Sequence, residues 1–201
     1  MDTPTGYQRL GPLLEKTSFT SAEARALGLS SALINHYIKQ GHIKRLARGI
    51  YQSHHYTFPQ DLLPWRGLIE ALHSVRGGTI CLLSALALYR IAEPPREYWI
   101  GVAHTTSVKK GGGKKIVRLR NIELGKTQIE LHGVALPIFD RERSLIDALR
   151  LLPRDLAIQL LNRALSLTSN RIKIKRLIIY ATQLRFDIKP YLKLIDPALK
   201  R

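Results

Sequence analysis

The sequence predicts an α+β chain, with a winged helix-turn-helix domain over residues 1–58 and a mixed α/β domain over residues 59–201. Three observations predict it. The first sixty residues set short helical periods before a basic ribbon that carries a glycine at its turn. From Tyr98 onward, four strand-like segments are followed by segments of helical period. The 201-residue chain also has 32 Lys+Arg against 15 Asp+Glu, a formal charge of +17, with 45% apolar residues. That composition can fold one domain or two small ones, and its charge calls for a polyanionic partner.

The N-terminal elements follow in order. Tyr7 to Lys16 is a short helix, with Leu10, Leu13 and Leu14 near one face. Thr20-x-x-Glu23 is a capping box, opening a helix over Ser21 to Leu27 that Gly28 stops. Ser30 or Ser31 caps a second helix that runs to about Gln40, with Leu33, Ile34, Tyr37 and Ile38 sharing its apolar face. Ala32, Asn35, His36 and Lys39 lie opposite, at i, i+3, i+4, i+7. Two short helices around a glycine turn form a helix-turn-helix, whose second helix can enter the major groove. We therefore take Ser31, Ala32, Asn35, His36, Lys39 and Gln40 as base-contacting candidates; the Asn and Gln amides suit adenine best.

Residues His42 to Tyr51 read as a two-stranded wing with Gly49 near its turn. Lys44, Arg45, Arg48 and Tyr51 are the phosphate-contacting candidates, the three cations by counterion displacement. Residues 1–60 nevertheless hold only +4 of the charge. The remaining +13 concentrates in the acid-free segment 104–120 and in 171–201, where nine bases face Asp187 and Asp196.

Phe19-Thr-Ser-Ala-Glu-Ala-Arg-Ala-Leu-Gly-Leu29 and Ile38-Lys-Gln-Gly-His-Ile-Lys-Arg-Leu-Ala-Arg-Gly-Ile-Tyr51 resemble the winged helix that opens AbiEi-type antitoxins. Ile80-Cys-Leu-Leu-Ser-Ala-Leu-Ala-Leu-Tyr89 is similar to the apolar helix after that domain, Tyr98-Trp-Ile-Gly-Val102 to a short strand, and Phe139 to Leu149 to the helix after the last strand. The resemblance implies the antitoxin of a type IV toxin–antitoxin system, encoded beside a nucleotidyltransferase-like toxin. Its N-terminal domain would repress its own operon at an inverted repeat in the promoter. Its C-terminal domain would counteract the toxin, in a scheme that requires no stable complex between the two.

In the second domain, Pro64-Trp65 should start a helix ending near His73, Ile80–Tyr89 is an apolar helix, and Pro94-Pro95 stops the chain. Strands are expected at Tyr98–Ala103, Ile116–Asn121, Thr127–Leu131 and Val134–Phe139, then helices at about 141–151, 154–167 and 172–184. The last should place Ile174, Leu177, Ile178 and Ala181 on one side. Val108-Lys-Lys-Gly-Gly-Gly-Lys-Lys115 departs from a phosphate loop at both ends, with Val108 for glycine and Lys115 for Ser or Thr. It reads either as a second nucleic-acid arm or as a solvated hairpin tip. Lys109, Lys110, Lys114, Lys115, Arg118 and Arg120 form this secondary basic patch.

No catalytic set can be assembled. Asp140 and Glu142 read as a helix cap and a first-turn acid, with Asp147 pairing to Arg143 or Arg150. Cys81 sits among apolar residues as an inert thiol, and the histidines are scattered. No metal or cofactor is expected. No segment reaches the length of a bilayer helix, and the N-terminus lacks a signal layout, so the expected location is the cytoplasm. Two rival readings are an RNA-binding accessory protein using the 104–120 and 171–201 cations, and a metal-dependent nuclease or nucleotidyltransferase using Asp140 and Glu142.

Overall fold

The computed structural model describes residues 5–108, 111–131, 134–167 and 172–191. The chain divides into two compact units, one up to Gly78 with Glu130–Val134, the other Thr79–Ile129 with the chain from Ala135. The architecture is mixed α/β, opening with the winged helix-turn-helix.

The first unit is built from α1 (Gly6–Leu14), β1 (Phe19–Thr20), α2 (Ser21–Ala26), α3 (Ser31–Lys39), β2 (Ile43–Ala47) and β3 (Ile50–Ser53). Capping sets the starts. Thr5 and Gln8 form a capping box at α1, Thr20 and Glu23 one at α2, and Ser30 accepts from the Leu33 N–H at α3. Gly28 takes φ +74° between α2 and α3, a conformation that glycine adopts freely. The Leu29 N–H then returns to the Ala24 carbonyl at 3.0 Å, closing the helix end, and its side chain is fully buried. Leu10, Leu13, Phe19, Ala24, Leu29, Ile34, Tyr37, Ile43 and Tyr51 make one core. The sheet order is β1-β3-β2, all antiparallel, with Arg45 opposite Tyr51 and a bulge between Arg45 and Ala47. A 3₁₀ turn over Gln60–Trp65 leads into α4 (Arg66–His73).

The second unit holds β4 (Thr79–Ile80), α5 (Leu82–Leu88), β5 (Tyr98–Ala103), β6 (Lys114–Leu119), β7 (Lys126–Leu131) as far as Ile129, β8 (Val134–Phe139) from Ala135, α6 (Arg141–Leu151), α7 (Arg154–Ser166) and α8 (Ile174–Gln183). The sheet order is β6-β5-β4-β8-β7. Its core combines Cys81, Leu82, Leu86, Leu119 and Phe139 with the inner faces of α6, α7 and α8. The apolar segment from Ile80 is shorter as a helix than expected, because Thr79 and Ile80 pair with Gly101 and Ile100 as β4.

The glycine-rich segment is not a hairpin tip. β5 and β6 run parallel, with Tyr98 beside Lys114 and Ala103 beside Leu119, so the chain must travel back along the sheet between them. Gly111, Gly112 and Gly113, at φ +95°, +72° and +67°, lead into β6, and the Gly113 carbonyl takes the Tyr98 N–H at 2.8 Å. Lys109 and Lys110 lie outside the described residues.

Candidate nucleic-acid interface

The candidate interface begins with the sides of α3. Ile34 and Tyr37 are buried and Leu33 and Ile38 half-buried, whereas Ser31, Ala32, Asn35, His36, Lys39 and Gln40 are all exposed. The helical period that buries one stripe thus presents the six expected residues together. α1 backs α3 closely: a Cβ at Gly6 would lie 2.7 Å from Leu33 Cδ2 and 2.9 Å from the Tyr37 hydroxyl. Tyr7, Tyr37 and His42 stack edge-on behind the helix, with Tyr7 and His42 centroids 5.0 Å apart.

The wing is tied to this frame. Gly49 turns it at φ +75°, and its carbonyl accepts the Ser21 N–H at the start of α2 at 2.9 Å. Lys44, Arg45 and Arg48 are exposed around it. Arg45 does more than carry charge. Its guanidinium lies 5.6 Å from the Tyr51 ring centroid, and its Nη2 donates to Asn35 Oδ1 at 3.4 Å. One side chain therefore spans from wing to α3, a link that spacing along the chain does not encode. The expected role of Tyr51 is corrected: at 6% exposure its ring packs on Phe19, so it is a core residue and a platform for Arg45.

Two titratable groups of this unit, Glu23 and His73, sit below their ordinary values. Burial tends to raise Glu23, but Lys16 at 2.7 Å and hydrogen bonds from Thr20 hold it below the ordinary carboxylate value. Burial pushes His73 below the ordinary imidazole value, against opposing influences from Thr17 and Glu23.

The secondary basic patch is split by its strand. Along β6, Lys114 is half-buried and Arg118 exposed on one face, with Arg120 just beyond the strand end; Lys115 points to the other, where its Nζ sits 4.1 Å from the Trp99 ring centroid. Val117 and Leu119 on the Lys115 side pack into the core.

The carboxylates at α6 are engaged in structure. Asp140 Oδ1 accepts the Arg143 N–H at 2.8 Å as an N-cap, and Oδ2 accepts from the Tyr180 hydroxyl at 2.8 Å. That phenol is pushed up to about 12 by burial and by its bond to Asp140. Glu142, 6% exposed, accepts the Lys173 N–H at 2.8 Å. Asp147 pairs with both Arg143 and Arg150, each at 2.8 Å. Arg143 is fully buried and donates further to the Asn121 and Leu124 carbonyls, an anchor that a helical i,i+4 ion pair on the page of sequence disguises as a surface pair. Cys81 is fully buried, and burial pushes its thiol well up. Among the described residues no group of three or more His, Cys, Asp or Glu is placed to hold a metal ion. No helix among them is long and apolar enough to cross a membrane.

Comparison with known proteins agrees with the sequence resemblance over this unit. Residues 8–54 match the family described as transcriptional regulator, AbiEi antitoxin, a stretch from within α1 to the end of the wing. No curated protein matches the chain.

Proposed function

We propose that this chain, whose residues 8–54 match the AbiEi antitoxin regulators, is a cytoplasmic repressor of its own operon and the antitoxin of a type IV toxin–antitoxin system. The observation that carries the reading is the exposed polar face of α3 beside three exposed wing cations, joined through Arg45 and Asn35. In this reading α3 enters the major groove, where Asn35, His36 and Gln40 meet base edges, and Lys44, Arg45 and Arg48 grip phosphates. Two copies occupy an inverted repeat in the promoter, with half-sites about one helical turn apart. The second unit counteracts a nucleotidyltransferase-like toxin without requiring a stable complex, and the chain itself catalyses no reaction.

The test is binding of the full chain to duplex DNA from its own promoter, against a shuffled duplex and a structured RNA. Preferential binding to the promoter is expected. If six to eight phosphates are neutralised, log affinity falls against log salt with a slope of roughly −5 to −7. Asn35→Ala combined with His36→Ala should erase the preference while leaving non-specific binding. A flat salt response, or stronger binding to RNA, would overturn the reading. The toxin half is tested separately: co-expression should rescue growth from the neighbouring nucleotidyltransferase, and failure to rescue would remove the antitoxin role while leaving the repressor role intact.

A further inference from the structure

The last described helix presents a surface that DNA binding by α3 does not use. α8 buries Leu177 and Ala181 in the core of the second unit, and Tyr180 holds its inner edge to Asp140. Ile178, expected on the buried side, is instead 39% exposed, because it follows Leu177 by about 100° around the helix. Ile179 beside it is 53% exposed. Lys175 and Arg176 precede Ile179 by one turn, and together with Ile172, Lys173 and Tyr180 they line an open groove of about 650 Å³. Between Ile172 and Phe186 the chain carries Lys173, Lys175, Arg176 and Arg185 and no acid, and Arg176 is turned to Asp140 of α6 at 3.5 Å, leaving Lys173 and Lys175 as the outward charges at the groove. The groove is therefore apolar in its lining and cationic at its rim.

We infer that this groove docks an acidic amphipathic helix from a partner protein. Each half of that description answers a feature of the site. An apolar stripe at i, i+3, i+4, i+7 would cover Ile172 and Ile179, as helix-in-groove recognition requires. Glutamates or aspartates flanking the stripe would meet Lys173 and Lys175, giving orientation and a faster encounter. Other occupants fit less well. A second copy of the chain approaches with a formal charge of +17 and meets a rim of its own sign. A nucleic acid satisfies the cations but sets exposed isoleucines against a hydrophilic backbone, and the one aromatic in the lining, Tyr180, is held by Asp140. The inference concerns the second unit alone, so it stands or falls apart from operator binding.

The experiment uses the full chain and a fluorescein-labelled peptide about four turns long, with leucines at helical spacing and glutamates elsewhere. Controls are the same composition shuffled to destroy the stripe, the stripe with lysines for glutamates, and a single-stranded oligonucleotide. Saturable anisotropy with the acidic amphipathic peptide alone is the expected result. Ile179→Ser and Lys175→Glu, both at exposed positions, should each weaken it by about tenfold while promoter binding and thermal unfolding stay as in the wild type. Equal binding of the shuffled peptide, displacement of the peptide by the oligonucleotide, or full affinity in Ile179→Ser would each overturn the proposal. So would failure of the acidic amphipathic peptide to bind.

Discussion

Arginine serves opposite ends in the two units. Arg45 lies exposed on the wing, over Tyr51 and within reach of Asn35, where a phosphate or base can compete for it. Arg143 is fully buried in α6, locked to Asp147 and to two loop carbonyls at 2.8 and 2.6 Å. The first is an exposed charge held ready; the second is a structural bolt whose charge no ligand will see. The contrast teaches that the +17 of this chain is not one quantity. A cation contributes to recognition only where its partners are weak enough to be exchanged, and geometry rather than composition decides that.

The largest effect should come from breaking the buried side of this comparison. Arg143→Met leaves Asp147 buried with Arg150 as its remaining partner and strips two carbonyls of their donor. A loss of about 3–5 kcal/mol is expected for the second unit in denaturant unfolding. Combining it with Asp147→Leu should recover part of that loss, since no unpaired charge is then buried. An Arg143→Met chain as stable as the wild type would show that the pair is not the bolt described.

The exposed side should respond through binding, more modestly. Lys44→Ala is expected to weaken all duplexes alike and to reduce the salt slope by about one. Arg45→Ala should do the same and also blunt base discrimination, because Asn35 loses the group that orients it. Identical effects from the two substitutions, measured by salt titration on promoter and shuffled duplexes, would reduce Arg45 to a plain phosphate contact.

The smallest expected effect is on pH. Glu23 and His73 both sit below their ordinary values in the folded winged unit. The unfolded chain therefore binds more protons as the solution acidifies, so stability falls with falling pH. The His73 contribution begins to be lost below about pH 6.5 and the Glu23 contribution below about pH 4.5. Hydrogen-exchange protection in α2 and β3, corrected for intrinsic rates, should decline from pH 7.5 to 5, whereas protection in α6 of the second unit should not. Constant protection in the winged unit would remove this account.

Legibility from sequence followed the range of the forces involved. The exposed face of α3 was readable because helical period and a local cap specify it within ten residues. The strands β5 and β8 were readable at their full lengths, Tyr98–Ala103 and Val134–Phe139, being long apolar runs. β1 and β4 were not, since two residues carry no period and become strands only by pairing with distant partners. Tyr51 reads as an outward wing residue, but all four residues of β3 are buried and the bulge beside Arg45 breaks the alternation on its neighbour. The burial of Arg143 had one faint signal. Gly125 sits where a Cβ would meet the Arg143 side chain at 2.6 Å, but only the folded chain brings that glycine there.

The sheet order has a consequence for the order of synthesis. Every strand of the winged sheet lies within residues 19–53, so that sheet can close soon after it leaves the ribosome. β4 instead needs Ile80 beside Ile138 on β8, and the centre of the second sheet must wait for the chain between them. A nascent chain therefore displays a finished winged surface while its other half is still an open strand.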